Sequence, residues 1–301
     1  MKILIGLILL ILFVIVLILL IGFCLMKYVI KPKRISMEES ISIEKSKNFW
    51  GDYDSYPKEE MNIESFDDYL LHGILLKNTS DKYVIITHGY TYTRYGSVKY
   101  ANIFYSLGYN VYLYDLRHHG ANANSYCSMS YLEGQDIIAI KEALKSRFGK
   151  DIQVGLHGES LGAASSIAAL GLSREFTFCI ADCGFSDLSE LLIYQARRLM
   201  HMPGWIVHVA SGFLRIIYHY SFYEVKPITG LHNNLTPILF IHGENDDFIL
   251  PSHSKKMYEA CNLCHKELFF IPNAKHAESY ESDPQQYATV VHAFLERIAH
   301  N

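Results

Sequence analysis

Ser160 stands between Gly158 and Gly162 in the run HGESLG, and a serine framed as Gly-x-Ser-x-Gly is a candidate nucleophile. An alcohol does not attack a carbonyl unaided at neutral pH. It needs a neutral imidazole to take its proton and a buried carboxylate to hold that imidazole in the right tautomer. Two later segments offer those groups. His242-Gly243-Glu244-Asn245-Asp246-Asp247 carries carboxylates, and Pro272-Asn273-Ala274-Lys275-His276 carries an imidazole. The chemistry such a set performs is acyl transfer. The bare serine pattern is expected by chance about 0.1 times in a chain of this composition, so context must decide between a nucleophile and an ordinary helix cap.

The context is strand, turn, helix. Ile152, Val154 and Leu156 form a short apolar run, and Ala163 to Leu170 is a helix of small residues. A serine at so sharp a turn projects its hydroxyl above the sheet edge, and the flanking glycines let strand and helix pass without a Cβ collision. The helix N-terminus also directs free N–H groups at a developing oxyanion.

Around this turn the chain alternates. Apolar strands are expected at Lys82–Thr87, Asn110–Tyr114, Phe176–Ala181, Pro237–Ile241 and Glu267–Ile271, and a hairpin at Met61–Leu76. Helices are expected at Ser97–Leu107, Tyr131–Phe148, Ser252–Ala260 and Pro284–Ala299. Strands alternating with helices imply an α/β fold with a mostly parallel central sheet and helices on both faces. Ligands in such sheets bind beyond the strand C-terminal ends, where His88, Asp115, Ser160 and Asp182 all fall. The apolar, helical stretch 187–234 interrupts the alternation and is expected to form a cap over those ends, the alternative being an extra layer packed on the sheet.

Ile3 to Met26 carries no charge. At 1.5 Å per residue it reaches roughly 36 Å, enough to cross a bilayer core. No small-residue cleavage site follows, so the expected organisation is a transmembrane helix over 1–30, a juxtamembrane linker over 31–57 and one large domain over 58–301. Lys27, Lys31, Lys33 and Arg34 follow the span and lean the domain towards the cytoplasm. Cys127, Cys179, Cys183, Cys261 and Cys264 read as free packing thiols, which leans the same way. A net charge of −4 with no basic block argues against nucleic acid as a partner.

The sequence resembles the α/β-hydrolase superfamily, in its bacterial branch of membrane-anchored serine-aminopeptidase-like and monoacylglycerol-lipase-like esterases. The resemblance runs from about residue 60 to 299. It rests on HGYT at 88–91, DLRHHG at 115–120, GESLG at 158–162, SFYEVKP at 221–227, HGENDDFI at 242–249 and AKHAESY at 274–280. It implies the α/β-hydrolase fold with Ser160 as nucleophile, Asp246 as acid, His276 as base, and the N–H groups of Tyr90 and Leu161 as oxyanion hole. Asp246 is preferred to Asp247 because the acid of related sequences lies three residues after the glycine. Asp182 is an alternative acid position. His88, His157 and His242 read as structural, His118-His119 as no metal site, and Glu159 as a spacer under the turn. The Asp115–Arg117 turn with Gly120 is expected to brace the oxyanion loop through an internal ion pair.

No metal or organic cofactor is required by this chemistry. The expected substrate is a small acyl ester, the apolar cap and anchor favouring an uncharged one. A peptidase, an acyltransferase and a non-catalytic binding module on the membrane are the alternatives.

Overall fold

The computed structural model describes residues 1–300. In chain order the elements begin with α1 (Lys2–Ile30), α2 (Met37–Ser46) and four short strands, β1 (Lys58–Glu60), β2 (Ile63–Glu64), β3 (Leu70–Leu71) and β4 (Gly73–Leu76). The alternating part follows as β5 (Lys82–Thr87), α3 (Val98–Ser106), β6 (Asn110–Tyr114), α4 (Glu133–Phe148), β7 (Gln153–Glu159), α5 (Leu161–Leu170) and β8 (Cys179–Asp182). Then come α6 (Leu188–Arg198) and α7 (Ile206–Tyr218), and finally β9 (Ile238–Gly243), α8 (Ser252–Ala260), β10 (Lys266–Ile271), α9 (Ser279–Ser282) and α10 (Pro284–Ala299).

These divide into two compact units. The larger comprises Lys33–Ser186 and Lys226–Asn301, and the smaller Met1–Pro32 with Asp187–Val225. The larger unit is built on an eight-stranded sheet of order β1-β4-β6-β5-β7-β8-β9-β10. β1, β4 and β6 pair antiparallel and every other neighbour pair is parallel. β2 and β3 form a separate hairpin around Asp67-Asp68. The inner parallel strands β5, β6, β8 and β9 are largely apolar because both their faces are covered, whereas the edge strand β10 is half-buried. Val84, Val111, Ile180 and Leu239 lie at 0% exposure, against Phe104 of α3, Phe178, and Tyr287 and Phe294 of α10.

Register is what aligns the site. Thr87 pairs with Gly158, Glu159 with Asp182 and Asp182 with Ile241. β10 ends opposite Gly243. The C-terminal ends of β5, β7, β8, β9 and β10 therefore share one edge, and the loops leaving them converge.

The stretch 31–57 is not all connector. Residues 37–46 form α2, whose Ser36 side chain accepts from Glu39 N at 3.0 Å. Ser40 and Glu44 of this helix are buried, with Thr93 donating to Ser40 at 2.8 Å. The signal lay in Ser36-x-x-Glu39, a capping-box spacing. The polar face hid it.

In the smaller unit α1 is 29 residues long and apolar, and its residues up to Leu17 are exposed. Among the described residues it is the one helix long and apolar enough to cross a membrane. Its last turns are buried at Gly22, Leu25, Met26, Val29 and Ile30. A Cβ on Gly22 would lie 2.5 Å from Val209 Cγ1, so α1 and α7 approach at a distance only glycine permits. Phe23 packs edge-on against Phe213 with ring centroids 5.5 Å apart.

Two of the cysteine assignments need correcting. Cys261 and Cys264, expected as free thiols, are joined in a disulfide between α8 and β10, while Cys24, Cys127, Cys179 and Cys183 are free. α8 ends at Ala260, and the bend that follows brings the two sulfurs together. Spacing alone did not show this. The cysteines therefore no longer argue for a cytoplasmic domain.

Candidate active site

β7 ends at Glu159, α5 begins at Leu161, and Ser160 makes the whole turn with φ 56° and ψ −114°. Both flanking glycines are sterically obligatory. A Cβ on Gly158 would lie 2.3 Å from Gly162 C and O, and one on Gly162 would lie 2.0 Å from Thr87 O. The strand, the helix and the end of β5 are thus as close as backbones can pass.

The loop after β9 brings in Asp246 and the loop after β10 brings in His276. Ser160 Oγ lies 2.9 Å from His276 Nε2, and His276 Nδ1 lies 2.7 Å from Asp246 Oδ2. The other oxygen of Asp246 accepts from Phe248 N and Ile249 N, both at 2.9 Å. His242 Nε2 approaches Asp246 Oδ2 at 3.1 Å and the Ile249 carbonyl at 2.8 Å, with Nδ1 on Ser254 Oγ at 2.7 Å. Burial works to raise the Asp246 carboxyl, but hydrogen bonds from His242 and His276 outweigh it and hold the group well below the usual carboxylate range. Asp246 is a permanent anion at any working pH. An anion there favours the His276 tautomer with its proton on Nδ1, which leaves Nε2 facing Ser160 Oγ.

Tyr90 lies on the loop leaving β5. A Cβ on Gly89 would come within 3.6 Å of Ser160 Cβ, so this loop runs past the serine. Leu161 is the first residue of α5, where N–H groups are unused by the helix. The loop is braced from behind. Thr91 N donates to His119 Nε2 at 3.1 Å, and Leu116 N donates to His88 Nε2 at 3.0 Å. Burial pushes the imidazoles of His88 and His119 down, and that of His157 to about 3, so all three stay neutral, and His88 and His119 serve as fixed bridges. His157 meets Tyr287 Oη at 2.9 Å.

Asp115 does brace this region, though its partner is Arg94. Arg94 donates from its backbone N at 2.8 Å and from Nη1 at 3.1 Å, and Ala121 N donates at 2.9 Å. Arg117 instead forks onto Asp136 and Asp67 at 2.6 to 2.8 Å. Nothing in the sequence distinguishes the two arginines, because the choice is made by which loop packs on β6.

Glu159 is more than a spacer. Lys99 of α3 lies 2.9 Å from its Oε2, and Tyr100 donates to the same oxygen. Burial works to lower Lys99, but the charges of Glu159, Glu44 and Asp182 outweigh it and keep the ammonium charged. Asp182 is engaged elsewhere than with His276. Its oxygens take Ser279 Oγ at 2.8 Å and Tyr100 Oη at 3.4 Å. Asp247 is exposed. Of the three carboxylates weighed as the acid, Asp246 is therefore the one the fold brings to His276. Cys183, Asp246 and His276 lie close enough to hold a metal, but His276 and Asp246 are already committed to Ser160 and to each other.

Residues 101–301 match the model of the prolyl oligopeptidase family. The chain belongs to that family. It is thus a hydrolase of the α/β-hydrolase superfamily, as the sequence motifs imply. The chain is similar to YqkD of Bacillus subtilis strain 168, 34% identical over 218 residues, 71% of each chain. A membrane protein of Saccharomyces cerevisiae, YNL320W, is 23% identical over 64% of this chain and 63% of its own. The esterase Pf2001 of Pyrococcus furiosus has the same fold with a TM-score of 0.69, at 24% identity, over 82% of this chain and 94% of its own.

Proposed function

We propose that this member of the family is a membrane-anchored serine hydrolase acting on apolar acyl esters. The observation that carries the reading is the continuous hydrogen-bonded chain from Ser160 through His276 to Asp246 at a strained strand–helix turn. His276 Nε2 takes the Ser160 proton as Oγ attacks the carbonyl carbon. The oxyanion is received by the N–H groups of Tyr90 and Leu161, each such donor contributing about 3 kcal/mol. Collapse expels the alcohol, which leaves with the proton from His276. Water then adds to the acyl-enzyme by the same route in reverse, releasing the acid and restoring Ser160. Residues 1–30 serve as a single-pass anchor, a reading supported by the length of α1 and by the membrane protein among the relatives.

A fluorophosphonate probe tests the nucleophile. Wild type should label and Ser160→Ala should not; label retained by the variant removes Ser160 from this role. Peptide bond cleavage is the second reading, favoured by the family itself. Comparing esters of increasing acyl length with peptidyl anilides separates the two, and faster cleavage of short soluble peptides would sink the ester assignment.

A further inference from the structure

α7 carries an apolar stripe that its own fold does not cover. Trp205, Val209, Gly212, Phe213 and Ile216 recur at helical spacing and fall within an arc of roughly 100°. Val209 and Phe213 of this arc pack on Gly22 and Phe23 of α1. The remainder is exposed, with Trp205 at 48% and Ile216 at 74%. Beyond the stripe lie Arg215, paired with Glu224 at 2.9 Å, and His208, stacked on Tyr223. One flank of the exposed stripe is therefore α1 and the other is polar.

The contact with α1 fixes the depth. Gly22 stands four residues before Met26, the end of the uncharged run, and so lies roughly 6 Å inside it. Helices that lie in a bilayer boundary bury their apolar face about 5–10 Å deep. Trp205 at one end of the stripe is the residue type enriched at that boundary. Lys27, Lys31, Lys33 and Arg34 follow on the side where headgroups would stand.

We propose that α7 is a second membrane-contacting element, lying in the surface of the bilayer that α1 crosses, with Trp205 and Ile216 against lipid. The proposal rests on α1 being a membrane span. It makes the inserted helical segment a lipid-bound part of the enzyme and its substrates molecules that partition into that layer.

The chain has two tryptophans, which makes the test direct. Full-length Trp50→Phe keeps Trp205 alone, and Trp205→Phe keeps the buried Trp50 alone. Both are reconstituted in phosphatidylcholine nanodiscs with lipids brominated on the acyl chain near the glycerol. Trp205 should lose more than half of its emission and Trp50 almost none. Equal, weak quenching in both overturns the proposal. If Trp50→Phe fails to fold, an environment-sensitive fluorophore on Ile216→Cys in a Cys24→Ser background replaces it, and emission unshifted between detergent-free buffer and nanodiscs counts against lipid contact. Self-association abolished by Ile216→Asp, with no bromolipid quenching, would assign the stripe to a second copy of the chain and equally overturn it. Resistance to alkaline carbonate extraction checks α1 separately, and none of these readouts uses catalysis.

Discussion

Replacing Asp246 by asparagine changes one atom, and the surroundings dictate which way the amide must face. The position of Oδ1 is held by two N–H donors, from Phe248 and Ile249. An NH2 group there would leave both donors unsatisfied, at about 1–3 kcal/mol each. At the Oδ2 position His242 Nε2 keeps its bond to the Ile249 carbonyl and His276 can change tautomer, so the amide oxygen takes the Oδ1 position and the NH2 faces His276 Nδ1. That nitrogen must then accept, so the imidazole proton moves to Nε2, which points at Ser160 Oγ 2.9 Å away. The base is switched off with its geometry intact. The same change in a serine protease lowers kcat about 10⁴-fold, or about 5 kcal/mol of barrier. Hydrolysis of a p-nitrophenyl ester by the Asn variant should fall by that order, with KM little altered and an unchanged circular dichroism spectrum. A drop of less than tenfold would refute the argument and return the acid to Asp182 or Asp247.

Other outcomes follow from the neighbouring contacts. Asp182, raised to about 6 by burial and by the charge of Glu159, favours the folded state fully below about pH 4 and loses that contribution as pH rises through 6. The span is about 3 kcal/mol, so Asp182→Asn should flatten the fall in urea-unfolding stability between pH 4 and 6 relative to wild type; parallel curves would refute it. Gly162→Ala should fail to give soluble, labelled enzyme, since its methyl would sit 2.0 Å from Thr87 O; normal activity would mean the turn is looser than described. Alkylation of freshly lysed, denatured protein should modify four of the six cysteines without reductant and all six with it, as the Cys261–Cys264 bond requires. Six in both cases would restore the reading of free thiols and, with it, a cytoplasmic domain.

The parallel strands were legible because most are short apolar runs and β7 alternates Val154 and Leu156 ahead of the serine turn, with the motif residues at the strand ends in fixed local order. Ser160, Asp246 and His276 could be singled out as candidates since each lies within a short motif, and the fold brings their side chains together. The partners of Glu159 and Asp115 could not. Lys99 and Arg94 reach them across the packing of α3 and its preceding loop, over separations of 60 and 21 residues that leave no local pattern. α2 was hidden by its polarity, and the disulfide by a spacing that fits several chemistries.

The dihedral angles at residue 160 have an implication for how such a protein can be improved. A side-chain-bearing residue held at φ 56° and ψ −114° costs about 1–3 kcal/mol that glycine would not incur. A glycine there should melt later than the parent and, on the proposed role of Ser160, hydrolyse nothing. Selection for heat tolerance alone is thus drawn towards discarding the hydroxyl, and any directed-evolution campaign on this scaffold must score turnover and melting together.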